Sequence, residues 1–288
     1  MSVLAPLIPL KPLRGTSIMR NDAVGQSTLQ KITPGNPIDG TVNKFGKNVL
    51  HVDTTLIARS VFPVLEELQV HYDSRAEVGR EHGKTLAKQF DQALFIQAIR
   101  AGQLTANTFG LTSAGHLGAT QVTLSNGADV SDPALLYQAI VDLLTGMRLK
   151  DVDPVMEGVI IGLTPTDFAT LSMAELLINS DYITADGTNV PGMALKAHGV
   201  KVVQSNNFVG GQVISGSLMQ SSYNSYDGDY TKVAAVAFAP KALMAAETIP
   251  VTTEVFWDQL SKNWFVDAYR AYSATANVAS YAGVILKP

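Results

Sequence analysis

Apolar positions recur three and four apart through "SRAEVGREHGKTLAKQFDQALFIQAIRAG", Ser74 to Gly102, which predicts a helix roughly 40 Å long at about 1.5 Å per residue. Ser74 and Glu77 stand in capping-box spacing, and Gly102 follows the last apolar position, so both ends carry residues that satisfy orphan backbone groups. Ala76, Gly79, Gly83 and Ala87 fall on one face of this helix. Each interior glycine costs about 1 kcal/mol against alanine, so the spacing predicts a seam where other backbone packs closely, against the alternative of two merely tolerated glycines.

The same helical period marks "DPALLYQAIVDLLTGM", with Asp132 as cap, Pro133 at the first position, and Leu136, Ala139, Ile140, Leu143, Leu144 and Met147 on one face. "GVIIGLTPTDFATLSMAELLIN" reads as a buried strand running into a helix capped by Thr164, with Pro165 at its start and Asp167 near the positive helix end. "VKVVQ", "TKVAAVAFA", "VTTEVFW", "WFVDAYRAYSA" and "YAGVILK" have the β-branched and aromatic bias of strands. Residues 14–52 carry the turn signals "TPGNPIDG" and "NKFGKN" with little helical period, which predicts a long projecting hairpin. Ahead of it, Pro6, Pro9 and Pro12 repeat every third residue, as in an extended polyproline II arm. "NTFGLTSAGHLGATQVTLSNGADVSD" reads as loop or short strands, and the whole is α+β without repeats.

With 288 residues and 46% hydrophobic content the chain can bury a proper core. It has no cysteine, which excludes disulfides, thiolate zinc sites and thiol nucleophiles. The net charge of -4 is uneven: residues 1–50 carry six Lys or Arg against two Asp, and the remainder is acidic. Six dispersed charges make a weak phosphate-binding signal, and pairing with acidic protein surface explains them equally well. The prolines of the first segment break the helix that a signal peptide needs, and the apolar run "VAAVAFAPKALMAA" is too short and interrupted to span a membrane.

Candidate chemistry is thin. His51 and Asp53 could share a strand face as an acid/base pair, but an ordinary polar face explains them better. His71, Tyr72 and Asp73 precede a helix start, where capping accounts for the aspartate, and His82, His116 and His198 form no metal spacing. "DGD" at Asp227 to Asp229 lacks the later ligands of a calcium loop. "VGGQVISG" has neither a Walker lysine nor dinucleotide spacing, and Ser217 misses the nucleophile elbow because Ser215 stands where glycine belongs. The reading is therefore of a protein that assembles, with no cofactor or metal and no enzymatic activity.

The run "LRGTSIMRNDAVGQSTLQKITPGNPIDG", followed by "DTTLIARSVFPVLEELQVHYDSRAEVGREHGKTLAKQFDQALFIQAI", resembles the extended loop and spine helix of tailed-phage major capsid proteins, nearest to the podovirus type. "AAVAFAPKAL" and the ending "YRAYSATANVASYAGVIL" resemble that family's later strands, although Thr275 to Ala279 replace a Gly-x-Arg-Pro-Glu-like turn. The resemblance implies the Hong Kong 97-like fold: an N-arm (1–13), an extended loop or E-loop (14–52), a peripheral P-domain (53–130) with a spine helix over 74–101, an axial A-domain (131–240), and strands returning to the P-domain (241–288). It implies hexamers and pentamers of an icosahedral phage head, enclosing double-stranded DNA without sequence-specific binding. A separate scaffolding protein, a portal and decoration proteins are the implied partners, with assembly in the host cytoplasm and no membrane. An encapsulin-like cellular compartment shares the fold and is the alternative; a stand-alone hydrolase is a more distant one. Some capsids of this fold join a loop lysine covalently to an asparagine. Lys31, Lys44 and Lys47 are candidate donors, but no catalyst is identifiable and none of these links is expected. Because the family lays the extended loop of one subunit across the peripheral domain of the next, the expected contact residues are Arg14, Arg20 and Lys31 on one side and Glu66, Glu67, Glu77, Gly79 and Gly83 on the other.

Overall fold

In the computed structural model, which describes residues 3–25, 27, 29–32, 34–35, 40, 42–63, 74–111, 117–174 and 196–288, one long helix organises two sheets. This helix, α1, spans Ser74–Gln103. Its C-terminal half is buried nearly all round, with Phe90, Leu94, Phe95, Ala98, Ile99 and Ala101 inside. Such a stretch must be covered on several sides. Gly102 lies inside the last turn and does not end the helix: its missing Cβ lets the backbone of Gly283 approach to where a side chain would begin. The capping side chain of Ser74 lies outside the described residues, as do His71, Tyr72, Asp73 and His116.

The first sheet has the order β1-β12-β13-β4, from Lys11–Pro12, Leu243–Asp258, Asn263–Ala276 and Thr55–Pro63. β12 and β13 form a hairpin paired from Leu243↔Ala276 to Asp258↔Asn263, with β4 antiparallel on the other side of β13. Leu56, Ala245, Ala268, Tyr272 and Ala274 join the cluster around α1, so the near part of the sheet is packed on the helix.

The second sheet has six strands in the order β5-β14-β11-β6-β8-β7, from Thr120–Thr123, Ala282–Leu286, Val233–Phe238, Ile160–Leu163, Val200–Gln204 and Lys196–Ala197, with β9, Val213–Ile214, and β10, Gly228–Asp229, paired apart from it. Its central strands are apolar on both faces because both are covered. Val236, Phe238 and Val284 face the α1 cluster, while Ala235, Ala237 and Ile285 face a second cluster built on α2, Pro133–Arg148. α2 and its successor α3, Pro165–Ser172, start as their sequences require: Asp132 Oδ1 accepts from the Ala134 and Leu135 N–H groups, and Thr164 Oγ1 from that of Asp167.

β5 and β14, on either side of the first sheet's strands in sequence, both lie in the six-stranded sheet, where β14 is buried on both faces. The N-terminal segment is not extended throughout. Residues 4–8 form a turn, with Leu7 and Ile8 N–H donating to Leu4 O, because Leu4 and Ile8 bury themselves against α1. The segment straightens only at β1, which runs parallel to β12 at Ala246–Glu247.

Candidate assembly surfaces

Within residues 14–52, β2, Ile18–Val24, pairs antiparallel with β3, Phe45–His51, in the register Ile18↔His51 to Val24↔Phe45. One end is rooted and the other is not. At the root Leu50 and Val52 pack with Leu13, Met244, Ala246 and Ala271. Two amides tie the strands to the body, Asn21 Nδ2 donating to Asn277 Oδ1 at 2.7 Å and Asn48 Nδ2 to Ala276 O at 2.7 Å, and the Thr108 hydroxyl donates to Asn277 O beside them. Asn277 N–H in turn donates to Ala242 O, so one asparagine just past β13 gathers three segments. Gly46 is pressed on Phe109, where any Cβ would overlap the backbone. Toward the tip, Val24, Leu29, Ile32, Val42 and Phe45 are each more than half exposed.

The second exposed region is the far end of the β12–β13 hairpin with the first turns of α1. Beyond Glu247 the outer edge of β12 has no strand partner among the described residues. Val251, Val255, Phe256 and Leu260 are exposed there. An open groove of about 510 Å³ lies between Arg75, Ala76, Gly79 and Arg80 on the helix and Thr253, Val255 and Val266 on the sheet. The strands themselves are held firmly. Arg59 grips Asp267 through Nε and Nη2 at 2.7 and 2.5 Å, which raises the guanidinium pKa, and it lies over the stacked rings of Phe256 and Phe265. Trp257 and Trp264 pair across the hairpin, and Arg75 sits 4.8 Å above Trp264, clamping the start of α1 to the sheet.

Against this geometry the expected contact residues divide. Arg14, Arg20 and Lys31 are exposed and, among the described residues, make no ion pair within the chain. Glu77 is exposed beside the groove and pairs with Arg80 along the helix at 2.9 Å. Gly79 lines the groove, with Val266 4.0 Å from the position of a Cβ, and Gly83 has nothing within 4 Å, so among the described residues no backbone fills the predicted seam. Glu66 and Glu67 lie outside the described residues.

The weak catalytic candidates take structural roles. His51 stacks on Tyr223, and Asp53 accepts from Asn224. Asp227 binds the N–H groups of Gly216 and Ser217, and Asp229 binds Thr231. Among the described residues no cluster of His, Asp and Glu is placed to hold a metal, and no helix is long and apolar enough to cross a membrane.

Sequence reasoning missed Asn277, Asp91 and the Arg59–Asp267 pair. Asp91 alone left a signal, an acidic residue within the apolar run of α1. It is fully buried and accepts the N–H groups of Val3 at 2.7 Å and Leu4 at 3.1 Å, fixing the N-terminal turn.

The family model for Gp10A-like major capsid proteins matches residues 23–252. Among solved structures, the capsid of cyanophage P-SCSP1u superposes with a TM-score of 0.82 at 18% identity, over 100% of this chain and 88% of that one. The mature capsid of bacteriophage PhiM1 gives 0.78 at 21% identity, over 100% and 87%. Mycobacterium phage Che8 gives 0.64 at 16% identity, over 99% and 91%. No curated protein sequence compared with the chain matches it.

Proposed function

The chain belongs to the Gp10A-like family of major capsid proteins, and from that membership we propose how its two exposed surfaces build the shell. As a major capsid protein it is a virion component that assembles into a multimeric shell. In our reading residues 1–13 are the N-arm and the β2–β3 hairpin is the E-loop. The four-stranded sheet with α1 as spine helix is the P-domain, and the six-stranded sheet with α2 and α3 is the A-domain. The tip of the E-loop lies across the P-domain of the next subunit, closing hexamers and pentamers of an icosahedral head that encloses double-stranded DNA.

The observation that carries this reading is the contrast along the hairpin, rooted by Asn21, Asn48 and Asn277 yet with Val24, Leu29, Ile32, Val42 and Phe45 left exposed. A monomeric protein rarely leaves so many apolar side chains uncovered along one projecting element. The role is mechanical and needs no catalysis. An acidic chain suits it, because a strongly basic inner wall would hold DNA that must slide during packaging. A separate scaffolding protein, a portal and decoration proteins are the partners this role calls for, with assembly in the host cytoplasm. Electron microscopy of the purified protein tests the reading: closed shells or capsomers are expected, and a particle that stays monomeric at every concentration and in the presence of scaffold overturns it.

A further inference from the structure

Side chains alternate along a strand, and in the first sheet this sorts two faces. Leu56, Ala245, Ala268 and Tyr272 turn to α1, whereas Met244, Ala246 and Ala271 turn to Leu50 and Val52 at the hairpin root. The pairing carries that second face outward through Ile57, Tyr269 and Thr252, then Arg59, Asp267 and Glu254, then Val61, Phe265 and Phe256. The hairpin root thus covers the near half of the face. The far half has no cover among the described residues: Ile57 is 56% exposed, Val61 46% and Phe256 40%. Phe265 stacks on Phe256, and Arg59 lies over both rings. Charge separates this face from the groove beside α1. In the hairpin tip, residues 24–45, Lys31 and Lys44 outnumber Asp39. The groove presents Arg75 and Arg80, and Glu77 is already paired with Arg80. On the open face Arg59 and Asp267 neutralise each other, which leaves the exposed carboxylate of Glu254, an acceptor for the Tyr269 hydroxyl at 2.7 Å. A basic tip is repelled by the groove and drawn to this face.

We propose that the far half of this face, around Ile57, Val61, Phe256 and Phe265, is where the hairpin tip of a second copy docks. The packing of ribbon on sheet that the root makes within one chain then continues across two. The placement rests on the E-loop role proposed above and adds to it the face that receives the loop. Val24, Leu29, Ile32, Val42 and Phe45, each more than half exposed in the single chain, supply the apolar side chains that meet it.

The chain has no cysteine, so introduced thiols report without background. Full-length Leu29→Cys chains are co-assembled with Val61→Cys chains, and in a second mixture with Val255→Cys chains, whose substitution lies on the α1 side of the same sheet. A flexible bismaleimide joins neighbouring thiols, and mass spectrometry of the digested particles identifies the joined positions. Links from position 29 to position 61 are expected at least about tenfold above links to position 255, because contact raises effective concentration. Links favouring position 255 put the tip in the groove, which overturns this placement and leaves the E-loop role standing. Links to neither position overturn both. Links between two copies of position 61 mean that sheet faces pack on each other, which also overturns the placement. Val61→Glu gives an independent measure. It buries a carboxylate in the proposed contact, so shell yield should fall at least about tenfold while the melting temperature of the free subunit stays level. Undiminished yield overturns the proposal.

Discussion

Asp91 is fully buried midway along α1, and its two oxygens accept the N–H groups of Val3 and Leu4, while Leu4 and Ile8 fill the core beside it. Arm and carboxylate therefore stand or fall together. Asp91→Ala leaves two buried donors unpaired at about 1 to 3 kcal/mol each, partly relieved if the arm swings out, so a loss of about 2 to 4 kcal/mol is expected by urea denaturation. Asp91→Asn keeps an acceptor and should lose less; equal stability of wild type and Asp91→Ala would mean the arm contributes nothing to the fold. The buried tyrosines bear on the same core. Burial raises the hydroxyl pKa of Tyr226, Tyr230 and Tyr272 above the ordinary value of about 10, with Tyr226 adding to the effect on Tyr272. A raised folded pKa stabilises below the unfolded value and loses that contribution as pH climbs through the folded one. The subunit should thus hold its stability up to about pH 10 and lose it above, with tyrosinate absorbance rising in step with loss of circular dichroism. Tyrosinate signal that saturates while the fold stays intact would contradict this.

At the scale of elements, α1 carries two different halves, and Gly79 and Gly83 lie in the exposed one. Gly83 has open space where its side chain would be, so Gly83→Leu improves helix propensity by roughly 1 kcal/mol without a clash inside the subunit. The melting temperature of the unassembled chain should stay level or rise, whereas shell yield should fall if a neighbour's backbone crosses there. Unchanged assembly would mark the glycine as merely tolerated. Elements were legible wherever local chemistry decides them: the Asp132 and Thr164 caps, the face from Leu136 to Met147, and the paired strands β2 and β3. Sheet membership was not. β14 reads as a buried strand in either sheet, and only the close approach of Gly102 to Gly283 and the register with β11 put it beside α1. The same limit hid Asn277, whose partners Asn21, Thr108 and Ala242 come from three distant segments that no spacing rule connects.

At the scale of the whole molecule, what a single chain leaves unfinished decides how copies meet. The first fifty residues carry an excess of Lys and Arg, Arg20 and Lys31 are exposed without an ion partner among the described residues, and the rest of the chain is acidic. We propose that these two residues meet acidic groups of the next subunit, with Glu66, Glu67 and Glu77 the candidates. Glu77 has Arg80 as a competing partner in its own helix, which makes it the weakest of the three. One exposed pair contributes at most about 1 kcal/mol and decides little alone. Repeated at every contact of a closed shell, terms of that size set the concentration at which assembly begins. Lys31→Glu should therefore reduce shell yield while leaving the melting curve of the free subunit unchanged. Salt should relieve the variant's repulsion and slightly weaken wild type, since exposed charges are screened over roughly 10 Å at 0.1 M. Adding Glu67→Lys should restore part of the yield if these two positions face each other. Sedimentation of shells across a salt series reads all three effects. A Lys31→Glu chain that assembles like wild type at low salt would assign these charges to a solvated loop face, and would leave the apolar tip from Val24 to Phe45 as the surface that holds neighbours together.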